Sequence, residues 1–118
     1  MLTKTLTIAS TGSESDVYDS PNVLVRSEFE TFGIAKIVCP SDVRGMTSLT
    51  LEESWDSGLT WKTVKDSSGT AITITIAANA SIALSPALMS VLAPKTRLKG
   101  NAAATGGDAS FVIAIRPF

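Results

Sequence analysis

Two groups of acids stand close enough along the chain to be read as chemistry: Glu52, Glu53 and Asp56, and Glu14, Asp16 and Asp19. A glycosidase needs two carboxyl groups roughly 5–9.5 Å apart across a cleft, one of them kept protonated by burial. Glu52 and Glu53 are adjacent, and adjacent residues on a strand point to opposite faces, so they cannot form that pair. The segment "GSESD" offers oxygens to a calcium ion, yet it lacks the ligand spacing and the turn glycine of an EF-hand loop. The 118 residues include no histidine, which removes Ser-His-Asp and Cys-His catalysis and every histidine-containing metal site. Gly106 and Gly107 fall in a turn before the last apolar run, not in a phosphate-binding loop. The acids therefore read as surface solvation. No catalytic residue, no metal and no cofactor are expected.

Composition narrows the partners. Ten basic against eleven acidic residues leave a formal charge of -1, whereas nucleic-acid binding needs a concentrated basic face. The single cysteine, Cys39, allows no internal disulfide and points to a reducing compartment. Its expected role is that of a small buried hydrophobe. The opening "MLTKTLTIAS" has neither the apolar core nor the cleavage pattern of a secretory signal, and no apolar run approaches the ~20 residues of a membrane span. A soluble chain made without export is expected, folded as one domain over residues 1–118, a size that buries about two thirds of its unfolded surface.

Positioning must come from strands, because the dominant period is two. Leu6 and Ile8 alternate with Thr5 and Thr7; Leu49 and Leu51 with Thr50 and Glu52; Ile72, Ile74 and Ile76 with Thr73 and Thr75. Phe111, Ile113 and Ile115 share a face in the last run. β-Branched residues suit a half-buried pleated surface, and such alternation indicates antiparallel strands with one wet face. Turn-formers at 10–16, 39–45, 66–69 and 104–108 separate these runs, which predicts an all-β antiparallel sandwich or barrel of about eight strands. One short helix is expected near 86–92, capped by Ser85, with Pro86 at its first position and Pro94 beyond its end. Residues 10–32 read as a long connection or a projecting arm. In "PKTRLKG", Lys95, Arg97 and Lys99 alternate on one strand face: either a solvated or edge strand guarded by charge, or a basic stripe that docks on an acidic partner.

The stretch "SWDSGLTW" places Ser54, Asp56, Gly58, Thr60 and Trp61 in the pattern Ser-x-Asp-x-Gly-x-Thr-Trp. It resembles the Asp-box, a short hairpin element of sialidases and many other β proteins, with Ser57 where Asp-Gly-Gly is commoner. An aspartate accepts hydrogen bonds from backbone N–H groups just ahead of it, and glycine supplies the positive φ that closes the turn. Trp61 is expected to fold over the loop or into the core; if fully buried, its removal would cost about 3–5 kcal/mol. Eight residues in a single copy read as a structural staple. Trp55 and Tyr18 are the aromatic rings that could stack on a glycan or touch a partner.

Taken in order, "TLTIAS", "SESDVYD", "FGIAKIVCP", the "LTLEESWDSGLTWKTVKDSSG" hairpin, "AITITIA", "SIALSPALMSVLAPKTRLKGN" and "FVIAIRPF" resemble the small virion proteins of tailed bacteriophages. The likeness is to head decoration (auxiliary or cement) proteins, and what it implies is a jelly-roll-like β-sandwich. It further implies a non-enzymatic role on the capsid surface of the virion, after synthesis in the host cytoplasm. The implied partners are the major capsid protein of the head and further copies of the chain itself, for instance as a trimer. Alternatives are a β-sandwich associated with the phage tail, neck or fibre, a carbohydrate-binding module using Trp55 or Tyr18, and, least favoured, a small glycosidase.

Overall fold

The computed structural model describes residues 2–19, 32–84 and 93–117. Within them lie nine strands: β1 (Leu2–Ile8), β2 (Tyr18–Asp19), β3 (Phe32–Val38), β4 (Ser48–Ser54), β5 (Lys62–Thr63), β6 (Thr73–Thr75), β7 (Ser81–Ala83), β8 (Lys95–Gly100) and β9 (Ala109–Pro117). No helix occurs among the described residues. The expected helix near 86–92 and residues 20–31 of the expected arm lie outside them.

The strands form two sheets, β1-β9-β3-β7 and β2-β8-β4-β5, with β6 also paired to β4. A chain doubled back on itself explains this order. β1 pairs with β9, β2 with β8, β3 with β7 and β4 with β6, all antiparallel and each pair nested inside the one before. Wrapping that ribbon brings β9 against β3 and β8 against β4, which produces the two interleaved sheets of a jelly roll. β5 and β6 share one edge position, β5 lying on Glu52 and Glu53 and β6 on Ser48 to Thr50. Between them the chain turns at Asp66, whose carboxylate accepts the N–H groups of Ser68 and Thr70 at 2.9 and 3.0 Å.

Alternation sets the core. Leu6, Ile8, Ile34, Ile37, Leu49, Leu51, Ile74, Leu98, Phe111, Ile113 and Ile115 fill one cluster between the sheets, while Thr3, Thr5, Thr73, Thr75 and Ser110 face solvent. Burying such apolar surface is the main force holding the layers together. Cys39 is buried as expected, and that burial pushes its thiol pKa up. Gly100 is a point of close approach: a Cβ built there would lie 2.2 Å from Met46 Sδ and 3.1 Å from the Ala102 carbonyl.

Residues 13–19 do not project as an arm. They run along β8, with Ser15 N–H donating to the Leu98 carbonyl at 2.9 Å, Gly100 N–H to the Ser13 carbonyl at 2.8 Å, and Tyr18 in register with Thr96. The Ser15 hydroxyl also accepts Leu98 N–H at 2.9 Å. At this end of the sandwich the loops tie to one another. Thr11 N–H donates to the Ala104 carbonyl and Ala104 N–H to that of Gly12, Thr105 N–H reaches the Arg44 carbonyl, and Asn79 N–H reaches that of Pro40. The β4–β5 hairpin projects from the opposite end.

Candidate functional site

The hairpin forms as its residue types require. β4 ends at Ser54, β5 begins at Lys62, and Glu52 and Glu53 pair with Thr63 and Lys62. Ser57 and Gly58 take consecutive positive φ values of 62° and 88°, and Leu59 N–H reaches the Asp56 carbonyl at 3.4 Å, the pattern of a type I′ turn. Ser57 therefore holds the left-handed conformation that glycine occupies in the commoner motif. Asp56 organises the rest. One carboxylate oxygen accepts the Ser54 hydroxyl at 2.8 Å and Thr60 N–H at 2.9 Å, and the other accepts the Thr60 hydroxyl at 2.6 Å. Gly58 N–H closes the ring of bonds on Ser54 Oγ at 2.8 Å.

These donors hold the charged form of Asp56. The Thr60 hydroxyl acts most, then Thr60 N–H, then the Ser54 hydroxyl, and together they lower its pKa from 3.8 to about 2. A folded-state pKa below the unfolded value means stability that is present above about pH 4 and lost as pH falls through about 2. Between those limits the melting temperature is expected to fall less steeply in Asp56→Asn than in the parent. Thermal melts at half-unit pH steps test this; identical slopes would show that the carboxylate charge contributes nothing to the turn.

Trp61 does not enter the core, one of the two placements expected for it. Its ring is half-buried and lies outside the core, on the outer face of the second sheet, with the Arg97 guanidinium carbon 4.1 Å from the ring centroid. That contact is a cation–π pair. Tyr18 departs in the other direction, being 6 % exposed as part of the core cluster, so its ring offers no open platform for a glycan or a partner. Trp55 is 62 % exposed, and Leu59, in the same turn, 84 %.

β8 is an interior strand between β2 and β4, which corrects the edge-strand reading. Its cations are matched within the sheet. Lys95 pairs with Asp19; Arg97 Nε lies 2.8 Å from Glu52 Oε1, with Glu14 at 4.0 Å; Lys99 lies 4.0 Å from Glu52. The outer pair of Lys95 and Asp19 adds little stability, whereas Glu52 is buried and depends on Arg97 for its partner; together the pairs cancel the stripe's charge and leave little for an acidic partner to attract.

The acids are equally dispersed. Glu52 is committed to Arg97 and Lys99 on one face, while Glu53 lines a shallow pocket on the other with Trp55, Asp56, Thr60 and Lys62. Asp16 accepts Thr7 N–H at 3.2 Å, and Asp19 holds Lys95. Among the described residues no group of three or more His, Cys, Asp or Glu side chains is placed to hold a metal. No helix among them is long and apolar enough to cross a membrane.

Two features went unread in the sequence. One is the placement of Glu53 opposite Lys62 beside Trp55, legible in retrospect because Glu53 and Trp55 are two apart and the hairpin register sets Lys62 across from Glu53. The other is the outer face of the first sheet. Thr3, Ala114, Lys36 and Ala83 form one row across its four strands, and Thr5, Val112, Val38 and Ser81 the next. Thr7 and Ser110 begin a third, their hydroxyls 2.9 Å apart.

Fold and site together define a jelly-roll β-sandwich carrying an Asp-box-like hairpin. No protein family, no curated protein and no solved structure matches this chain.

Proposed function

We propose that the chain is a non-enzymatic structural protein of a tailed-phage virion, a decoration protein that binds and stabilises the assembled capsid shell. The observation that carries this reading is the asymmetry of the two outer sheet faces. The second sheet is laced with ion pairs. The outer rows of the first are built mainly from the short side chains of threonine, serine, alanine and valine, with Lys36 and, one row further, Arg116 as their cations, and Val38 is 37 % exposed. Short side chains lose little rotamer entropy on contact, and a face with few charges meets a protein surface with little desolvation cost.

Four strands at ~4.8 Å and five residues at ~3.4 Å give these rows an area on the order of 300 Å². A stable interface buries about 800 Å² per partner, so one such contact by itself is weak. A repeating shell compensates, because neighbouring copies touching one another raise the effective concentration of each. Self-association, with a trimer as one form, belongs to the same reading.

Co-sedimentation tests it. The protein should pellet with purified expanded phage capsids and not with immature shells. Thr5→Glu combined with Val112→Glu, both on the outer face, should abolish pelleting while the circular dichroism spectrum stays that of the parent. Should neither capsids nor whole virions retain the protein, the decoration role is wrong.

A further inference from the structure

The pocket beside Trp55 plays no part in that role. It has a volume of about 140 Å³ and is lined by Glu53, Trp55, Asp56, Thr60 and Lys62. The Asp56 carboxylate already accepts three hydrogen bonds from Ser54 and Thr60. Glu53 and Lys62 are opposite each other in the hairpin register, yet among the described residues neither side chain forms an ion pair or hydrogen bond. The lining thus presents one free carboxylate, one free ammonium and an exposed indole, on two strands joined by the stapled turn.

The geometry points to a binding site for one neutral saccharide ring. The indole supplies a flat apolar surface for the C–H face of the sugar, Glu53 accepts from its hydroxyls and Lys62 donates to them. Glu53 and Lys62 balance each other and the ionised Asp56 leaves the lining at a net charge of -1, so an anionic ligand is repelled and a neutral ring is admitted without a charge of its own. At ~30 Å³ per water the pocket holds about four or five waters, which sugar hydroxyls replace while keeping the same hydrogen bonds. Drug-sized pockets run to about 300–1,000 Å³; this one suits a single ring, with any longer glycan trailing into solvent.

The chain has two tryptophans, Trp55 and Trp61, so Trp61→Phe leaves one indole to report on the site. Titrating that variant with a panel of neutral methyl glycosides and their linear oligosaccharides should give a saturable change in emission for at least one sugar. Saturation-transfer NMR with that sugar should then show affinity reduced at least about tenfold (some 1.4 kcal/mol) by Trp55→Ala and severalfold by Glu53→Gln, with Leu59→Ala unchanged. Trp55 is largely exposed, so its loss leaves the fold intact, which circular dichroism checks. A panel with no saturable member, a response confined to charged sugars, or affinity undiminished in Trp55→Ala would overturn the site. The two functions separate cleanly: Trp55→Ala should still pellet with capsids, and the Thr5→Glu/Val112→Glu protein should still bind the sugar.

Discussion

Phe111→Ala is expected to lower the free energy of unfolding by about 3–5 kcal/mol, clearly more than the ~1–2 kcal/mol expected for Trp61→Ala, although tryptophan is the larger residue. Phe111 has no solvent exposure. It stands on β9 in register with Leu6 of β1, facing the second sheet. Truncation there removes a buried ring and leaves a void that the flanking ladders cannot close without breaking strand register. Trp61 packs one ring face on a guanidinium that keeps its own carboxylate partner, and solvent already reaches much of the ring. Losing it forfeits part of an apolar area and one cation–π contact, with no cavity. Urea denaturation followed by far-UV circular dichroism ranks the two variants. A Trp61→Ala cost equal to or above that of Phe111→Ala would mean that the hairpin carries its ring into the interior.

Gly100→Ala is expected to cost about 1–3 kcal/mol, and for a steric reason alone. Gly100 has no left-handed backbone angle to lose, unlike Gly69 at φ 82°, where an added Cβ would meet nothing within 4 Å. The obstacle is Met46, 1 % exposed, with its Sδ where the new methyl must go. Met46→Ala alone should cost about 2–5 kcal/mol through its own cavity. The Gly100→Ala/Met46→Ala double variant should then be less destabilised than the two single costs added, because each substitution makes room for the other. Simple additivity in that cycle would place the strain of Gly100→Ala elsewhere, with the Ala102 carbonyl as the next obstacle at 3.1 Å.

Much of the sandwich was legible in residue order because side-chain direction along a strand is local. Leu6, Leu49, Ile74 and Phe111 all point inward as their period of two requires. The Asp56 turn was legible for the same reason, since all its bonds join residues within four positions of one another. Tyr18 and Trp61 were not. Whether an aromatic ring is covered depends on the strands around it, and the strand beside Tyr18 is β8, about two thirds of the chain away in sequence. The basic stripe misled for a related reason: nothing within "PKTRLKG" shows that Asp19, Glu14 and Glu52 will flank it.

The chain by itself therefore determined that it is an all-β protein, which faces of its strands are apolar, and how the hairpin at 54–61 is stapled. Only the tertiary structure decided that the strands nest as a jelly roll, that β8 is interior with its charge cancelled, and that one outer face is built mainly from short uncharged side chains. The physical reason is range. Alternation and turn chemistry act over a few bonds, whereas the neighbours across a sheet are chosen by the burial of all the apolar faces at once.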